Sequence, residues 1–204
     1  MSIYLIRHGE TALNAARVMQ PADTPLSARG LQQVDALARR IVGLGVAAIV
    51  SSDLPRAWRT AEAIAATTGL PICASALLVE RNFGALRGRP YDTLGFDPLA
   101  MDDAPPGGES TATFERRVAE AFSMVVALRG TLGGPLAVVT HGLVIRAMLL
   151  RQTVLAPQPE AVPVIGNTAL TVLGARPPHP ITLLACTRHL DAGPGNDTHS
   201  LSGG

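Results

Sequence analysis

The stretch Ile3-Tyr4-Leu5-Ile6-Arg7-His8-Gly9-Glu10-Thr11 decides how the rest of the chain is interpreted. It begins as a short apolar run with two β-branched isoleucines, which is typical of a buried strand, and ends in polar residues and a glycine that allows a sharp turn. Arg7 and His8 are therefore expected at the carboxyl end of a strand, where open α/β sheets bind ligands. A guanidinium beside an imidazole suits an anionic substrate, whereas the alternative is a solvated loop after an edge strand.

Two later segments repeat the pattern of a buried strand that ends in polar residues. Residues 46–50 lead into Ser51-Ser52-Asp53, and residues 136–139 lead into Thr140-His141-Gly142. The carboxyl ends of parallel strands lie at one edge of a sheet. The sequence therefore predicts that these polar groups share one rim with the first motif.

The helix after the second of these strands is predicted to begin beside the same rim. Asp53 is a candidate N-cap, Pro55 suits the first turn, and Gly69 ends a helix over 55–68. Arg56 then lies in the first turn, where the helix dipole disfavours a cation but an anion would meet free backbone N–H groups and the guanidinium. Arg56 is therefore a candidate anion-binding residue.

The remaining hydrophobic periodicity predicts alternating helices and strands. Further helices are expected over 11–18, over 28–43 after Ser27 as N-cap, over 111–128 and over 143–153. Residues 169–173 and 181–186 are expected to form an edge hairpin, and residues 156–163 a loop. Arg116 and Arg117 fall off the apolar stripe of their helix or at its edge, so we expect both on a solvated face. The pattern is that of an α/β protein with a parallel sheet.

The composition limits the class of protein. The 204 residues suit one domain, expected over 1–190, with a mobile tail over 191–204. The 17 basic and 16 acidic residues nearly balance, which predicts neither a nucleic-acid nor a membrane partner. No apolar run approaches a membrane span of ~18–20 residues and no signal peptide is recognised, so we expect a cytoplasmic protein. Cys73 and Cys186 form no Cys-x-x-Cys motif and are expected to be buried thiols.

Several motifs occur in an order that resembles a known family. They are Arg7-His8-Gly9-Glu10-Thr11, Ser51-Ser52-Asp53-Leu54-Pro55-Arg56-Ala57 with Thr60-Ala61, Glu80, and Thr140-His141-Gly142. Together they resemble the histidine phosphatase superfamily, also called the phosphoglycerate mutase-like family, and Arg188-His189-Leu190 is similar to its closing pattern. The resemblance covers nearly the whole chain. It implies a three-layer α/β/α sandwich with a mostly parallel central sheet and an antiparallel edge strand.

The resemblance also implies a catalytic role for five residues. His8 matches the nucleophile that takes up the phosphoryl group, Glu80 matches the proton donor to the leaving group, and the phosphoryl oxygens would be held by Arg7, Arg56 and His141. Phosphoryl transfer needs an in-line nucleophile and positive groups around the equatorial oxygens, which these residues can supply without a metal ion. We expect neither a metal nor a cofactor. The phosphate and the arginines shift the pKa of His8 in opposite directions, and the sequence leaves the net direction open.

The substrate itself is not identified by these motifs. By the same resemblance Asn14 matches a residue that lines the substrate site, and Gly9, Thr11 and Gly142 are further candidates for substrate binding. The partner predicted is a small phosphorylated metabolite of unspecified kind. The edge hairpin is also predicted to pair across a homodimer.

The chain departs from the mutases of the family in ways that favour hydrolysis. Those mutases carry His-Tyr after Glu-Arg, whereas this chain has Asn82-Phe83, and the stretch between Glu80 and Gly107 is short beside the mutase insertion that covers the substrate. A more open site lets water reach a phosphohistidine. The alternatives are a phosphoglycerate mutase, a module that binds a phosphorylated ligand without turnover, and a metal-dependent hydrolase that uses His8, Glu80 and His141.

Overall fold

The computed structural model describes residues 2–153 and 162–190. Its strands are β1 (Ser2–Arg7), β2 (Ala48–Ser51), β3 (Ile72–Ala74), β4 (Leu136–Thr140), β5 (Leu170–Gly174) and β6 (Ile181–Cys186). They form one sheet in the order β3-β2-β4-β1-β5-β6. The first four strands are parallel, whereas β5 runs antiparallel to both β1 and β6. The predicted mostly parallel sheet with an antiparallel edge is confirmed.

Helices cover both faces of this sheet. They are α1 (Ala12–Ala15), α2 (Ala28–Val42), α3 (Pro55–Thr68), α4 (Thr111–Gly130) and α5 (Gly142–Gln152). Successive side chains of a strand point to opposite faces. Leu5 accordingly packs in a core with α4 and α5, whereas its neighbour Ile6 packs in a second core with α2 and α3. Burying each such side chain contributes about 1.5–3 kcal/mol, so the three-layer sandwich follows from strands that are apolar on both faces.

Most helix ends follow the predicted capping, with one exception. The Ser27 hydroxyl accepts a 2.9 Å hydrogen bond from the Gly30 N–H at the start of α2, and Gly69 ends α3 at a φ of 71°. Asp53, however, does not cap α3. The helix begins at Pro55, so Leu54 occupies the N-cap position and Asp53 lies one residue too early to reach the first-turn N–H groups.

Three further expectations about exposure are wrong. Arg116 is exposed as predicted, but the Arg117 side chain is only 15% exposed, because its long stem lies back over a neighbouring loop and pairs there with Glu109. Cys73 is exposed and Cys186 is partly exposed. They belong to β3 and β6, the two edge strands of the sheet, which neighbouring elements cover less completely.

Two predicted segments cannot be compared with the structure. Most of the loop predicted over 156–163 and the whole tail over 191–204 lie outside the described residues. Within the described ranges, no helix is long and apolar enough to cross a membrane. β6 forms one edge of the sheet, and its pairing across a homodimer stays a prediction.

Candidate active site

The carboxyl ends of three neighbouring strands lie level with one another. In the register of the sheet, Arg7 at the end of β1 pairs with Thr140 at the end of β4, and Ser51 of β2 pairs with Val139. Backbone hydrogen bonds continue this alignment for one more residue, from the His8 N–H to the Thr140 oxygen at 3.0 Å and from the Ser52 N–H to the Val139 oxygen at 2.9 Å. The sheet thus places all three predicted motifs at one rim.

Four side chains meet at this rim, and we call them the strand-end cluster. They are Arg7, His8, Arg56 and His141, each at most 2% exposed. The two imidazole rings lie 5.1 Å apart, centroid to centroid. The charges of both arginines act on both histidines strongly enough to lower their pKa values. The structure therefore brings together the residues that the sequence predicts to hold a phosphoryl group.

The orientation of His8 is fixed by its neighbour. Its Nδ1 lies 2.7 Å from the Gly9 carbonyl oxygen, which can only accept, so the proton of the neutral ring is on Nδ1 and the lone pair is on Nε2. Burial lowers the pKa of His8 well below 6.5, and Arg56 and Arg7 lower it further, although the Gly9 carbonyl acts in the opposite direction. His8 is consequently neutral at neutral pH. The protein's own groups thus lower the pKa of His8, and its balance against a bound phosphate stays a prediction.

The two arginines of the cluster remain cations. Burial lowers the pKa of Arg7 to about 10 and that of Arg56 to about 10, and the nearby Glu80 carboxylate partly offsets both changes. Arg7 donates through Nη1 to the Ile165 carbonyl oxygen at 2.7 Å. Arg56 donates through Nη1 to carbonyl oxygens of the 21–22 segment at 3.3 Å, while its buried Nε has no hydrogen-bond partner in the described part of the chain. An anion would supply that partner.

His141 is oriented by a residue to which the sequence reading gives no role. Its Nε2 lies 2.9 Å from the Ser52 hydroxyl, which in turn accepts the Leu54 N–H at 3.3 Å. Burial and the charge of Arg56 lower the pKa of His141 well below 6.5. Its Nδ1 is buried and makes no hydrogen bond to any described residue. Two polar atoms of the cluster, Arg56 Nε and His141 Nδ1, are thus available to a ligand.

Glu80 lies on the loop that faces the cluster. Its Oε1 accepts the Arg81 N–H at 2.9 Å, and its Oε2 accepts the Leu143 N–H, at the start of α5, at 3.3 Å. Burial raises the pKa of Glu80, although these two N–H groups, Arg56 and Arg7 lower it in part. A carboxyl with a raised pKa can hold a proton closer to neutral pH, as a general acid must.

Glu80 and Arg56 share a cleft that opens to solvent. The cleft is lined by Val18, Met19, Gln20, Arg56, Glu80, Arg81, Phe83, Arg87, Leu99 and Leu143. Five of these ten residues are apolar and four are charged, so the walls combine apolar surface with ionic groups. Phe83, one of the two residues that depart from the mutase pattern, forms part of this lining.

The four predicted substrate-binding residues lie elsewhere around His8. Asn14 is fully buried, and its carboxamide accepts the Thr11 N–H at 2.5 Å and donates to Asn167 at 3.2 Å. Asn167 in turn donates to the His8 carbonyl oxygen at 3.1 Å. Gly9 is packed so closely against the 30–34 segment of α2 that an added Cβ would lie 2.9 Å from the Gly30 oxygen.

Those contacts tie the predicted residues to the backbone around His8. Gly142 begins α5 and is buried, as are Gly9 and Thr11. None of these three, nor Asn14, belongs to the described lining of the cleft. Their assignment to substrate binding stays a prediction.

Sequence reasoning missed several residues that shape the cleft. Arg81 is 5% exposed and donates to the Met101 carbonyl oxygen at 2.8 Å, and Arg117 donates to the Leu77 and Val79 oxygens at 2.9 and 2.8 Å. The position of Arg117 at the edge of an apolar stripe was the only available signal. Within the described ranges, no three His, Cys, Asp or Glu side chains form a group that could hold a metal ion, and so the set His8, Glu80 and His141 forms none.

Comparison with known proteins agrees with this geometry. The family model of the histidine phosphatase superfamily, branch 1, matches residues 3–185. The chain belongs to the histidine phosphatase superfamily. A curated relative, the "probable phosphoglycerate mutase GpmB" of Salmonella paratyphi B, is 35% identical over 159 residues, which cover 73% of each chain.

Solved structures of this superfamily include phosphatases. A mycobacterial glucosyl-3-phosphoglycerate phosphatase superposes with a TM-score of 0.76 at 30% identity, over 91% of this chain and 98% of that one. A mutant phosphoserine phosphatase of Entamoeba histolytica in complex with phosphoserine gives a TM-score of 0.76 at 28% identity, over 93% and 98% of the two chains. Superfamily members thus similar to this chain are named both as phosphatases and as a mutase.

Proposed function

We propose that this protein hydrolyses small phosphomonoesters through a phosphohistidine intermediate. The observation that carries the proposal is the state of His8, a neutral imidazole whose Nε2 lone pair is left available by the Nδ1 hydrogen bond to Gly9. Arg7, Arg56 and His141 surround it as groups that can receive the equatorial oxygens of a phosphoryl group. Positioning and electrostatic stabilisation of this kind supply most of the catalysis of phosphoryl transfer.

The reaction has two steps. In the first, Nε2 of His8 attacks phosphorus, the bond from phosphorus to the ester oxygen breaks, and Glu80 gives its proton to the departing alkoxide. In the second, water attacks the phosphohistidine, Glu80 as carboxylate takes up a proton from that water, and the bond between Nε2 and phosphorus breaks. Inorganic phosphate leaves, and both His8 and Glu80 return to their starting protonation states.

The first test is phosphate release from a panel of phosphorylated metabolites and p-nitrophenyl phosphate. We expect turnover that survives dialysis against EDTA and is inhibited by vanadate, because the charges that stabilise the transition state come from Arg7 and Arg56 rather than from a metal. Activity that disappears with EDTA and returns with Mg²⁺ or Mn²⁺ would contradict metal independence. Binding of these esters without any phosphate release would favour a binding module.

A second candidate function is phosphoglycerate mutase, favoured by the name of the 35% identical Salmonella relative. Mutase action requires the phosphohistidine to survive while one phosphoglycerate is exchanged for another, so water must be excluded during that interval. The cleft beside Glu80 opens to solvent, which supports hydrolysis. Incubation with 3-phosphoglycerate and a trace of 2,3-bisphosphoglycerate decides between them. Formation of 2-phosphoglycerate much faster than free phosphate would establish the mutase.

A further inference from the structure

The cleft carries two cations that the proposed phosphoryl chemistry does not use, Arg81 and Arg87. Arg87 follows the 3-10 turn Gly84–Leu86 and lines the same cleft as Arg56 and Glu80. Its side chain is half-buried. Within the described ranges its guanidinium makes no ion pair and no hydrogen bond.

A comparison with Arg81 shows why this matters. Arg81 lines the cleft as well, but its guanidinium donates to the Met101 and Glu109 carbonyl oxygens and lies over the Phe83 ring, so its donors serve the loop itself. Arg87 has no comparable partners among the residues that the structure describes. A half-buried guanidinium has lost part of its hydration, and its five donors gain most from an anion that matches their planar geometry.

The backbone holds Arg87 in place. The N–H of Arg87 donates to the Gly84 oxygen at 3.1 Å, and the next residue, Gly88, donates to the Met19 oxygen at 2.7 Å. Met19 in turn donates to the Arg89 oxygen at 3.0 Å. These bonds fix the loop on both sides of Arg87. A ligand therefore meets a side chain whose base is already ordered, which reduces the entropy lost on binding.

Arg87 lies in the same cleft as the phosphoryl-binding residue Arg56. Burial lowers the pKa of Arg56, and the charge of Arg87 adds to that change. A substrate whose phosphoryl group lies at Arg56 would thus hold its leaving group beside Arg87. Both guanidinium groups line this one cleft, so one ligand can contact both.

We propose that Arg87 binds a second anionic group on the leaving group, so that the preferred substrates are phosphomonoesters that also carry a carboxylate or a second phosphate. This proposal rests on the proposed function and narrows its substrate class. The apolar residues between the charged positions, among them Met19 and Phe83, would contact the carbon skeleton that joins the two anionic groups.

The test compares esters that differ only in the second charge. The carboxylate pair is 3-phosphoglycerate and glycerol 3-phosphate, and the phosphate pair is glucose 1,6-bisphosphate and glucose 6-phosphate. Wild type, Arg87→Met and Arg87→Lys are assayed with all four, and Arg89→Ala is the matched control because Arg89 is exposed on the same loop and outside the cleft lining. We expect Arg87→Met to raise KM for at least one ester with two anionic groups by about 10–100-fold. This is the effect expected when a hydrogen bond between charged groups is lost.

KM for the two esters with a single anionic group, glycerol 3-phosphate and glucose 6-phosphate, should change by less than about twofold. Arg87→Lys should recover part of the loss, and Arg89→Ala should behave as wild type. The pair that responds identifies the anion as carboxylate or phosphate. Equal KM changes for both members of each pair, or a wild type without preference in either pair, would overturn the proposal. Calorimetric titration of the four esters into His8→Ala and His8→Ala/Arg87→Met measures the same preference without turnover. If the wild type released no phosphate from any ester, the proposed function would be wrong, but this titration would still test whether Arg87 binds a second anionic group.

Discussion

The strand-end cluster and the loop over residues 80–109 both contribute to one cleft, the cluster through Arg56 and the loop through Glu80 and its neighbours, but they are built by different means. The cluster residues Arg7, His8 and His141 follow directly from parallel strands, and the register of the sheet fixes their backbone. The loop contains only single turns of 3-10 helix and is held by side chains that bond to carbonyl oxygens, chiefly Arg81 and Arg117. In the proposed function, the chemistry common to phosphomonoesters would depend on the strand-end cluster, and selection among leaving groups on the loop.

The largest effect should come from the centre of the cluster. His8→Ala should lower phosphate release by about 10⁴-fold or more for every substrate, because the nucleophile is lost whatever the leaving group. Wild type incubated with ³²P-labelled substrate should retain an acid-labile, base-stable phosphate that His8→Ala lacks. Circular dichroism and the melting temperature of the variant serve as the control for folding. Strong residual activity in a folded His8→Ala protein would refute the proposed intermediate.

Glu80 connects the two regions, so its effect should depend on the leaving group. Glu80→Gln should reduce kcat for an alkyl phosphate by about 10²–10⁴-fold, whereas p-nitrophenyl phosphate, whose leaving group needs little protonation, should lose far less. Equal losses for both substrates would mean that Glu80 acts within the cluster and not on the leaving group.

The pH profile tests the same assignment. Activity should fall as the pH drops through the lowered pKa of His8, because the imidazole becomes protonated, and as it rises through the raised pKa of Glu80, because the proton donor is lost. Together these directions predict a bell-shaped profile whose acidic limb belongs to His8 and whose basic limb belongs to Glu80. Glu80→Gln should remove the basic limb and keep the acidic one.

Arg56 should matter to all substrates alike, in contrast to Arg87. Removal of one charge-stabilising donor typically lowers the rate by about 10²–10³-fold. Arg56→Ala should lower the rate by this factor for esters with one anionic group and for esters with two. Arg116→Ala, which removes an exposed guanidinium of α4, is the matched control and should leave kcat/KM within about twofold of wild type. If Arg56→Ala lowered the rate much more for one class of ester than for the other, the division of roles between the strand-end cluster and the loop would be wrong.

Substitution of Arg117, which holds the loop over residues 80–109, should have the smallest effect on the reaction rate and a measurable effect on stability. Arg117 forms a two-point ion pair with Glu109, whose carboxylate also accepts the Asn82 N–H at 2.9 Å. Arg117→Met should cost about 1–3 kcal/mol and lower the melting temperature by roughly 5 °C. The rate with p-nitrophenyl phosphate should fall by less than about tenfold, and a loss comparable to that of Arg56→Ala would show that the two regions are not separable.

The same ion pair should make stability depend on pH. Burial alone would raise the pKa of Glu109, but the hydrogen bonds from Arg117 and the Asn82 N–H hold it below its ordinary value. Because the folded-state pKa is lowered, this contribution is present above the ordinary carboxyl range and is lost as the pH falls through the lowered pKa. Glu109→Gln should remove that part of the acid dependence in thermal unfolding.

The contrast between the regions also explains what could be predicted from sequence. Periodicity and turn residues are local signals, so the strands that carry Arg7, His8 and His141 were identified and their common rim followed from parallel pairing. The role of Ser52 beside His141 depends on a side-chain distance across two strands, which no local pattern encodes. Likewise, Arg81, Arg87 and Arg117 look alike in sequence. Only tertiary contacts show that Arg81 and Arg117 bond to the loop, whereas the Arg87 guanidinium makes no such bond to a described residue.

The position of β1 in the centre of the sheet has a consequence for the growing chain on the ribosome. Its six residues are synthesised well before those of β4 and β5, the strands with which they pair, which end at residues 140 and 174. At about 5–20 residues per second, on the order of ten seconds separate the emergence of β1 from that of either partner. Arg7 and His8 are also bonded by Ile165 and Asn167, which emerge after β4 and just before β5. In the nascent chain, the side chain of Arg7 and the backbone of His8 therefore lack these partners until the later segments have been synthesised.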